Sequence, residues 1–135
     1  QTIHLLKINQ IIKLLSICKT KLNPNGKIII LSLDIKINEI PTFTLMNKKL
    51  KRSLNRDKKI IDLIIKIHPK IIIKKFIFNV KILKSEYLKM IEKRYISTLL
   101  NFSDKQIKDG LAEIDLKYKK DLKFKDRLIC LILKK

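Results

Sequence analysis

Asp34 is the side chain in this sequence best placed to do chemistry. It directly follows an apolar run, Ile28 to Leu33, in which Ser32 is the only polar residue. A run of that kind is typical of a strand covered on both faces, which favours a parallel sheet. In open parallel sheets, ligands bind beyond the carboxyl ends of the strands. Asp34 and the loop after it are therefore the first candidate for a functional site.

His4 and the two cysteines also have reactive side chains, but their signals are weaker. His4 precedes a helix start, where it is either a ligand-facing residue at a strand end or a polar group near the helix cap. Cys18 and Cys130 are far apart, and each lies in an apolar setting. Their spacing fits neither a metal site nor a disulfide framework, so we predict buried, reduced thiols in a cytoplasmic protein. No residue is predicted to be catalytic or to bind a metal.

The strong positive charge of the chain has two explanations. A net charge of +20 and a pI near 10.1 are typical of nucleic-acid-binding proteins. However, the chain has 27 Ile against one Val and 28 Lys against four Arg, which is the bias that A/T-rich codons produce. Nucleic-acid-binding proteins favour Arg for bidentate contacts, and the lysines here are spread along the chain. We therefore favour compositional bias, and nucleic acid is a possible but not a favoured partner.

Length and hydropathy restrict the class of protein. The 135 residues are enough for one domain with a core, and 46% apolar residues exclude a disordered tail. The longest uncharged apolar stretch is far too short to span a membrane, and no signal-peptide pattern is present. Because residue 1 is Gln, we expect the chain to begin inside a longer protein.

The spacing of apolar residues predicts the elements that would position Asp34. A helix over 8–22 ends at a turn around Pro24 and Asn25-Gly26, and a buried strand over 28–33 follows. A loop over 35–43 comes next, and the pattern then predicts a helix over 45–67 and an edge strand over 75–82. Two further helices follow, one capped by Ser85 and one over 104–118 that begins with a capping box. The last predicted element is a central strand over 124–133.

This order of elements resembles the C-terminal half of class I S-adenosylmethionine-dependent methyltransferases. The segment 22–30, Leu-Asn-Pro-Asn-Gly-Lys-Ile-Ile-Ile, looks like the family's Leu-x-Pro-x-Gly turn into the fifth strand. Residues 1–6 look like the segment that leaves the fourth strand, where a His is common. The later blocks look like the insertion and last strand of the small-molecule members of the family: 94–99, 101–104, 110–114 and 124–128.

The resemblance implies an α/β fold with a partial Rossmann-like sheet and helices on both faces. In that sheet the last strand runs antiparallel between two parallel strands. The domain would be single and incomplete over 1–135, with a helical, substrate-side insertion at about 84–120.

The function that the resemblance implies is in-line transfer of a methyl group from S-adenosylmethionine to a small-molecule acceptor. His4 would lie near the methionine part of the cofactor, and the insertion's Arg94 could bind an acceptor carboxylate in bidentate fashion. The residues expected to bind the acceptor are Asp34, Glu39, Pro41, Arg94, Tyr95 and Ser97. Structural roles remain open for several of them: Asp34 as a loop cap, Arg94 in a pair with Glu92 or Glu86, and Tyr95 in the core.

One departure from the family pattern is large. The family cradles its cofactor in a Gly-rich loop, whereas this chain has two glycines, Gly26 and Gly110, and no Gly-x-Gly. We therefore expect the N-terminal, cofactor-binding half of the same protein to be missing, so that this chain alone is inactive. A sheet truncated in this way would leave the outer edge of the 28–33 strand unpaired, which predicts dimerisation or aggregation.

Two functions from other classes remain as alternatives: a basic RNA-associated or ribosomal protein, and a non-catalytic interaction module. The aromatic residues argue against RNA, because five Phe and three Tyr fall in core-like patterns and not on a stacking platform. The sequence leaves open the methyl acceptor, the atom that is modified and the oligomeric state.

Overall fold

The computed structural model describes residues 6–135, which form an α/β fold with one three-stranded sheet. The expectation for His4 lies outside the described residues. In chain order the elements are α1 (Ile8–Lys21), β1 (Lys27–Leu33), α2 (Thr44–Ile67), β2 (Ile72–Ile82), α3 (Lys84–Glu92), a short 3-10 turn (Ser97–Leu99), α4 (Asp104–Lys117) and β3 (Leu122–Lys134).

The last strand lies in the middle of the sheet, in the order β1-β3-β2. β1 and β3 pair antiparallel, with Ile28 opposite Leu133 and Ile30 opposite Leu131. The predicted central position of β3 and the edge position of β2 are confirmed. The predicted fold class is wrong, however, because the three-stranded sheet is fully antiparallel and is not a Rossmann-like mixed sheet.

The error has a physical cause in β1. Its continuous apolar run predicted coverage on both faces, but burial alternates along the strand. Ile30 is buried, whereas Ile29 is 60% exposed and Leu31 is also exposed. One face of β1 is therefore packed and the other is open although both are aliphatic. An apolar run does not by itself distinguish this arrangement from a strand in a parallel sheet.

The described residues divide into two compact units. The first unit contains the described residues up to Ile37, together with Asn55–Phe76 and Arg127–Lys135. Its core is entirely aliphatic. In this core, α1 and the second part of α2 pack on one face of β1 and β3, which agrees with the prediction of α1 as an amphipathic helix packed on a sheet. The buried members of this core are Ile11, Leu15, Ile30, Ile60, Ile61, Ile64, Ile129, Leu131 and Leu133.

The second unit contains Asn38–Leu54 and Ile77–Asp126. Its core mixes aromatic and aliphatic residues: Phe43, Met46, Tyr87, Ile91, Leu99, Ile107, Ile114 and Leu122. Gly110 of α4 lies against the ring of Phe43, since a Cβ atom on this glycine would be 2.7 Å from two ring atoms. A glycine inside a helix costs about 1 kcal/mol relative to Ala and indicates either close packing or a bend, and here it is close packing. Helices α3 and α4 fall within the segment predicted as a substrate-side insertion, whose role stays a prediction.

One of the two predicted helix caps is confirmed, and the other is wrong. Ser103 and Gln106 form the predicted capping box at the start of α4. The prediction that Ser85 caps α3 is wrong, because α3 begins at Lys84 and its first N–H donates to a carboxylate oxygen of Asp121 at 3.3 Å. A side chain distant in sequence thus satisfies one of the free backbone donors in the first turn of α3.

Candidate functional site

Asp34 lies at the end of β1 in the first unit and has several internal partners. It is buried to 4% exposure, and one carboxylate oxygen accepts a hydrogen bond from the Lys36 N–H at 2.8 Å. The other oxygen forms an ion pair with the Lys75 ammonium at 3.2 Å. Burial alone would raise the pKa of Asp34, but the Lys36 and Ile37 N–H groups and the Lys75 charge together hold it below its usual value. These contacts support the loop-capping role for Asp34.

Two of the predicted acceptor residues, Glu39 and Pro41, line one cleft of about 960 Å³ in the second unit. We call this the lysine cleft, because five lysines line it: Lys81, Lys117, Lys119, Lys120 and Lys123. Glu39 and Asp121 are the acidic residues of the described lining. Positive charge in a concave site favours an anionic ligand.

Buried Tyr87 fixes the wall of the lysine cleft that contains Pro41. Its hydroxyl donates to the Pro41 carbonyl oxygen at 2.5 Å, and its ring contacts Phe124 edge to face with centroids 6.2 Å apart. Burial, and then the nearby Tyr118, raise the pKa of Tyr87 well above its usual value, so the hydroxyl remains a hydrogen-bond donor. Helix α3 thereby holds Pro41 in place.

The end of α4, the start of β3 and the connection between them form another part of the lining. Lys117 ends α4, and its ammonium lies 5.3 Å from the ring centroid of Tyr118 and 3.5 Å from the Thr42 carbonyl oxygen. Asp121 is oriented by the Lys84 N–H, and a carboxylate oxygen of Glu39 accepts from the Lys125 N–H at 3.3 Å. The two acidic side chains of the cleft thus have backbone partners, whereas most of the lysines line it as exposed residues.

The three predicted residues of the α3–α4 connection do not line the lysine cleft. The Arg94 guanidinium donates to a carboxylate oxygen of Asp104 at 2.5 Å and to the Phe102 carbonyl at 3.3 Å, so its partner is neither Glu92 nor Glu86. Ser97 is exposed and begins the 3-10 turn.

Tyr95 is 76% exposed, which excludes the core position considered for it. Phe76 and Phe78 are also exposed, so the prediction that the aromatic residues fall in core-like patterns is wrong for these three positions. Tyr95 and Phe78 are in the second unit and Phe76 is in the first, and none of the three lines the lysine cleft.

Arg94 also has a backbone role. Its φ of +51° lies in the left-handed region, directly after α3. The Arg94 N–H bonds to the Ile91 carbonyl and the Tyr95 N–H bonds to the Met90 carbonyl, both at 3.0 Å. These two backbone hydrogen bonds are those of a Schellman motif, in which the left-handed position usually belongs to Gly. Arg94 therefore ends α3 and ties this end to α4 through Asp104.

Neither glycine forms a cofactor cradle. A Cβ on Gly26 would lie 2.9 Å from the Asn23 carbonyl oxygen, and Gly110 contacts Phe43, so both glycines are packed against their own chain. The pair Asn25-Gly26 predicts left-handed positions in the turn before β1: Asn25 occupies one, with φ +65°, whereas Gly26 does not have a positive φ. Among residues 6–135 there is no cluster of three or more His, Cys, Asp or Glu side chains that could hold a metal ion.

The lysines of the cleft are candidate functional residues that the sequence prediction does not include. The segment from Lys117 to Lys125 contains five lysines in nine residues, which is a dense block. The spread of lysines over the whole chain hides this block, and Lys81 approaches it only in the folded chain, because it belongs to β2.

The comparison of the sequence with protein-family models and with curated proteins finds no match to either. In the described part of the chain, no helix combines the length and the apolar character that crossing a membrane requires.

Proposed function

We propose that this chain is the acceptor-binding, C-terminal part of an S-adenosylmethionine-dependent methyltransferase, and that its acceptor is a small anionic molecule. The cofactor-binding half is a separate N-terminal segment of the same protein. The residues 1–135 alone neither bind the cofactor nor catalyse the transfer.

One observation carries the proposal: β3 lies between β1 and β2 and pairs antiparallel with β1. The resemblance to the methyltransferases requires this insertion of the last strand between two earlier ones. Had the two apolar segments been apart, or had either been helical, the resemblance would have lost its basis. The correction to the sheet removes the argument from parallel strands but leaves this strand order in place.

The charge of the lysine cleft supports an anionic acceptor. Glu39 and Pro41, two of the residues that the resemblance assigns to the acceptor side, line this cleft beside the five lysines. Arg94 was expected to bind an acceptor carboxylate, but its guanidinium is engaged by Asp104. Lys81, Lys120 and Lys123 are better placed for that role, since each lines the cleft with an exposed side chain.

Calorimetric titration with S-adenosylmethionine tests the proposal. The chain 1–135 is compared with the longer product of the same reading frame. We expect binding by the longer product and no binding by the chain alone, because the chain has no Gly-x-Gly loop for the cofactor. Absence of binding by the longer product would refute the proposal. Tight binding by 1–135 alone would refute the statement that the cofactor-binding half is a separate N-terminal segment.

Charge reversal tests the acceptor side. In the longer product, Lys120→Glu and Lys123→Glu should each lower the rate of methyl transfer to a panel of small carboxylic acids by about tenfold or more, since each removes a charge-assisted contact with the acceptor. Lys13→Glu, on an exposed lysine of α1, is the matched control. The affinity for the cofactor should not change in any of these variants.

A second candidate function is binding of single-stranded nucleic acid by the same cleft. The specific observation in its favour is the pairing of five lysines with Tyr118 and Phe124 in one lining, since base-stacking aromatics and cations serve such sites. Affinity for oligonucleotides that rises with their length and falls steeply with added salt would favour this candidate. Saturable binding of a single small carboxylate would favour the methyltransferase.

A further inference from the structure

The first unit contains a second concave site that the methyltransferase proposal does not use. It is a groove of about 530 Å³ between α1 and the last two turns of α2, within the roughly 300–1,000 Å³ usual for small-molecule sites. The floor is made of buried Ile11, Leu15 and Ile64. Ile8 and Ile67, at its sides, are left 47% and 43% exposed. The helices thus present aliphatic surface to a groove that residues 6–135 leave open.

No acidic side chain is among the described residues that line this groove. Its polar side chains are Ser16, Thr20 and His68, together with the cationic Lys19 and Lys135. The Lys135 ammonium donates to the Leu22 carbonyl, and the Thr20 hydroxyl donates to the Ile17 carbonyl at 2.8 Å. Lys19 is therefore the cation best placed to meet a ligand at this end of the groove.

Apolar walls with a cation at one end fit an amphiphile with an anionic head. Ile8 and Lys19 lie eleven positions apart on α1, which corresponds to about 17 Å along the helix. A medium-chain acyl group can extend over that distance along Ile8, Ile11, Ile12 and Leu15. The charge complementarity then places the carboxylate at Lys19.

We propose that this groove binds one free medium-chain fatty acid, with its carboxylate at Lys19 and its acyl chain running along α1 toward Ile8. A second copy of this chain is a poorer occupant, because two chains of net charge +20 repel each other. The proposal is independent of the methyltransferase proposal, since the groove lies in the first unit and contains none of the predicted acceptor residues.

Calorimetry on the full chain tests the proposal with laurate, hexanoate and dodecylammonium, each kept below its micelle concentration. We expect laurate to bind at one site and affinity to rise roughly fourfold for each added methylene that the groove buries. Dodecylammonium has the same chain with the opposite head group and should bind more weakly than laurate.

Two pairs of variants locate the site. Lys19→Glu should weaken laurate by about tenfold or more, whereas Lys13→Glu on the same helix should change it less than about twofold. Ile12→Gln should weaken laurate, whereas Ile17→Gln should not, because Ile17 is 48% exposed on the same helix but does not line the groove. Unchanged thermal unfolding in each variant shows that the fold is retained.

Three results would overturn the proposal. The first is equal affinity for laurate and hexanoate, which would exclude a groove for the acyl chain. The second is an equal loss of affinity in Lys19→Glu and Lys13→Glu, which would reduce the effect to overall charge. The third is binding of anionic phospholipid vesicles without binding of monomeric laurate, since the ligand would then be a lipid surface.

Discussion

The two units of this protein bury their apolar residues in different ways. The first unit has a core of Ile and Leu alone, and aliphatic side chains of the same kind also remain exposed on its surface, as at Ile8 and Ile29. The second unit places rings beside small residues, as Phe43 beside Gly110, and fixes its connections through side-chain hydrogen bonds such as that of Tyr87 to Pro41.

The two cores differ in how closely they fix the shape of their side chains, more than in how much surface they bury. Aliphatic core residues can replace one another at a small loss of stability, whereas a ring packed against a glycine tolerates little change of shape. Long-range polar contacts also fix the second unit: a carboxylate oxygen of Glu113 in α4 accepts from both the N–H and the hydroxyl of Thr44 at 2.7 Å, at the start of α2. Walls fixed in this way suit a polar site that must hold its ligand in one orientation, which fits the position of the candidate acceptor site in the second unit.

Truncation of Phe43 should have the largest effect on the comparison. Phe43→Ala removes a fully buried ring and should lower the free energy of unfolding by about 3–5 kcal/mol. Ile61→Val, a change of one methylene in the core of the first unit, should lower it by about 0.5–1.5 kcal/mol. Urea unfolding measures both, and an equal loss in the two variants would contradict the distinction between the units.

The contact of Gly110 with Phe43 gives the next prediction. Gly110→Ala should destabilise the protein by about 1–3 kcal/mol through overpacking, which outweighs the gain of about 1 kcal/mol in helix propensity. In a Phe43→Leu background the loss should shrink, because the ring that meets the new methyl group is gone. Ala112→Gly, at an exposed position of α4, measures helix propensity alone. A stabilised Gly110→Ala variant would show that the ring is free to move aside.

Removal of the Tyr87 hydroxyl tests the hydrogen bond to Pro41. Tyr87→Phe leaves the buried carbonyl without its donor and should reduce stability by about 1–2 kcal/mol, as measured by urea unfolding. The pKa of Tyr87 is raised in the folded state, so its contribution is complete below the unfolded value of about 10 and declines as pH rises above it. The difference between Tyr87→Phe and the parent protein should therefore diminish in strong alkali. A constant difference up to pH 11 would refute the shift.

Asp34 provides the smallest expected effect and the only polar test in the first unit among these variants. Asp34→Asn keeps the shape of the side chain but loses the ion pair with Lys75, whose side chain is 56% exposed, so we expect a loss of about 0.5–1 kcal/mol near neutral pH. Because the folded pKa is lowered, this stabilisation is present above the unfolded value of about 3.9 and disappears as pH falls through the folded pKa. Urea titrations from pH 7 to pH 2 should therefore converge for the two proteins, and parallel curves would contradict the ion pair.

Much of the local structure could be predicted from the sequence. The spacing of apolar residues predicted α1, α2 and β1 with nearly correct ends, and the capping box predicted the start of α4, because these signals involve neighbouring residues. The antiparallel direction of β3 relative to β1 agrees with the resemblance, whereas the one-sided burial of β1 could not be predicted, since its aliphatic composition hides which face is buried. With one face exposed at Ile29, the residue types no longer report burial.

The candidate site could be predicted only in part. Glu39 and Pro41 were found through a resemblance, and they do line one cleft. The left-handed turn at Arg94 is local, but Arg stands at a position that usually belongs to Gly, so the residue type does not signal it. The contact of Asp121 with the Lys84 N–H, and the approach of Glu39 and Lys81 to the lysines of 117–123, depend on residues distant in sequence. A single sequence carries no local signal for such contacts.

The most direct test of the account is a cysteine cross-link between β1 and β3, the strand pair on which the functional proposal depends. Leu31 lies directly opposite Cys130 in the antiparallel register, whereas Ile29 lies opposite Ile132. In a Cys18→Ser background, oxidation of the Leu31→Cys variant should yield an intrachain disulfide with Cys130, detected by mass spectrometry, and the Ile29→Cys variant should remain reduced. A disulfide in Ile29→Cys but not in Leu31→Cys would contradict the register and, with it, the resemblance from which the methyltransferase proposal arises.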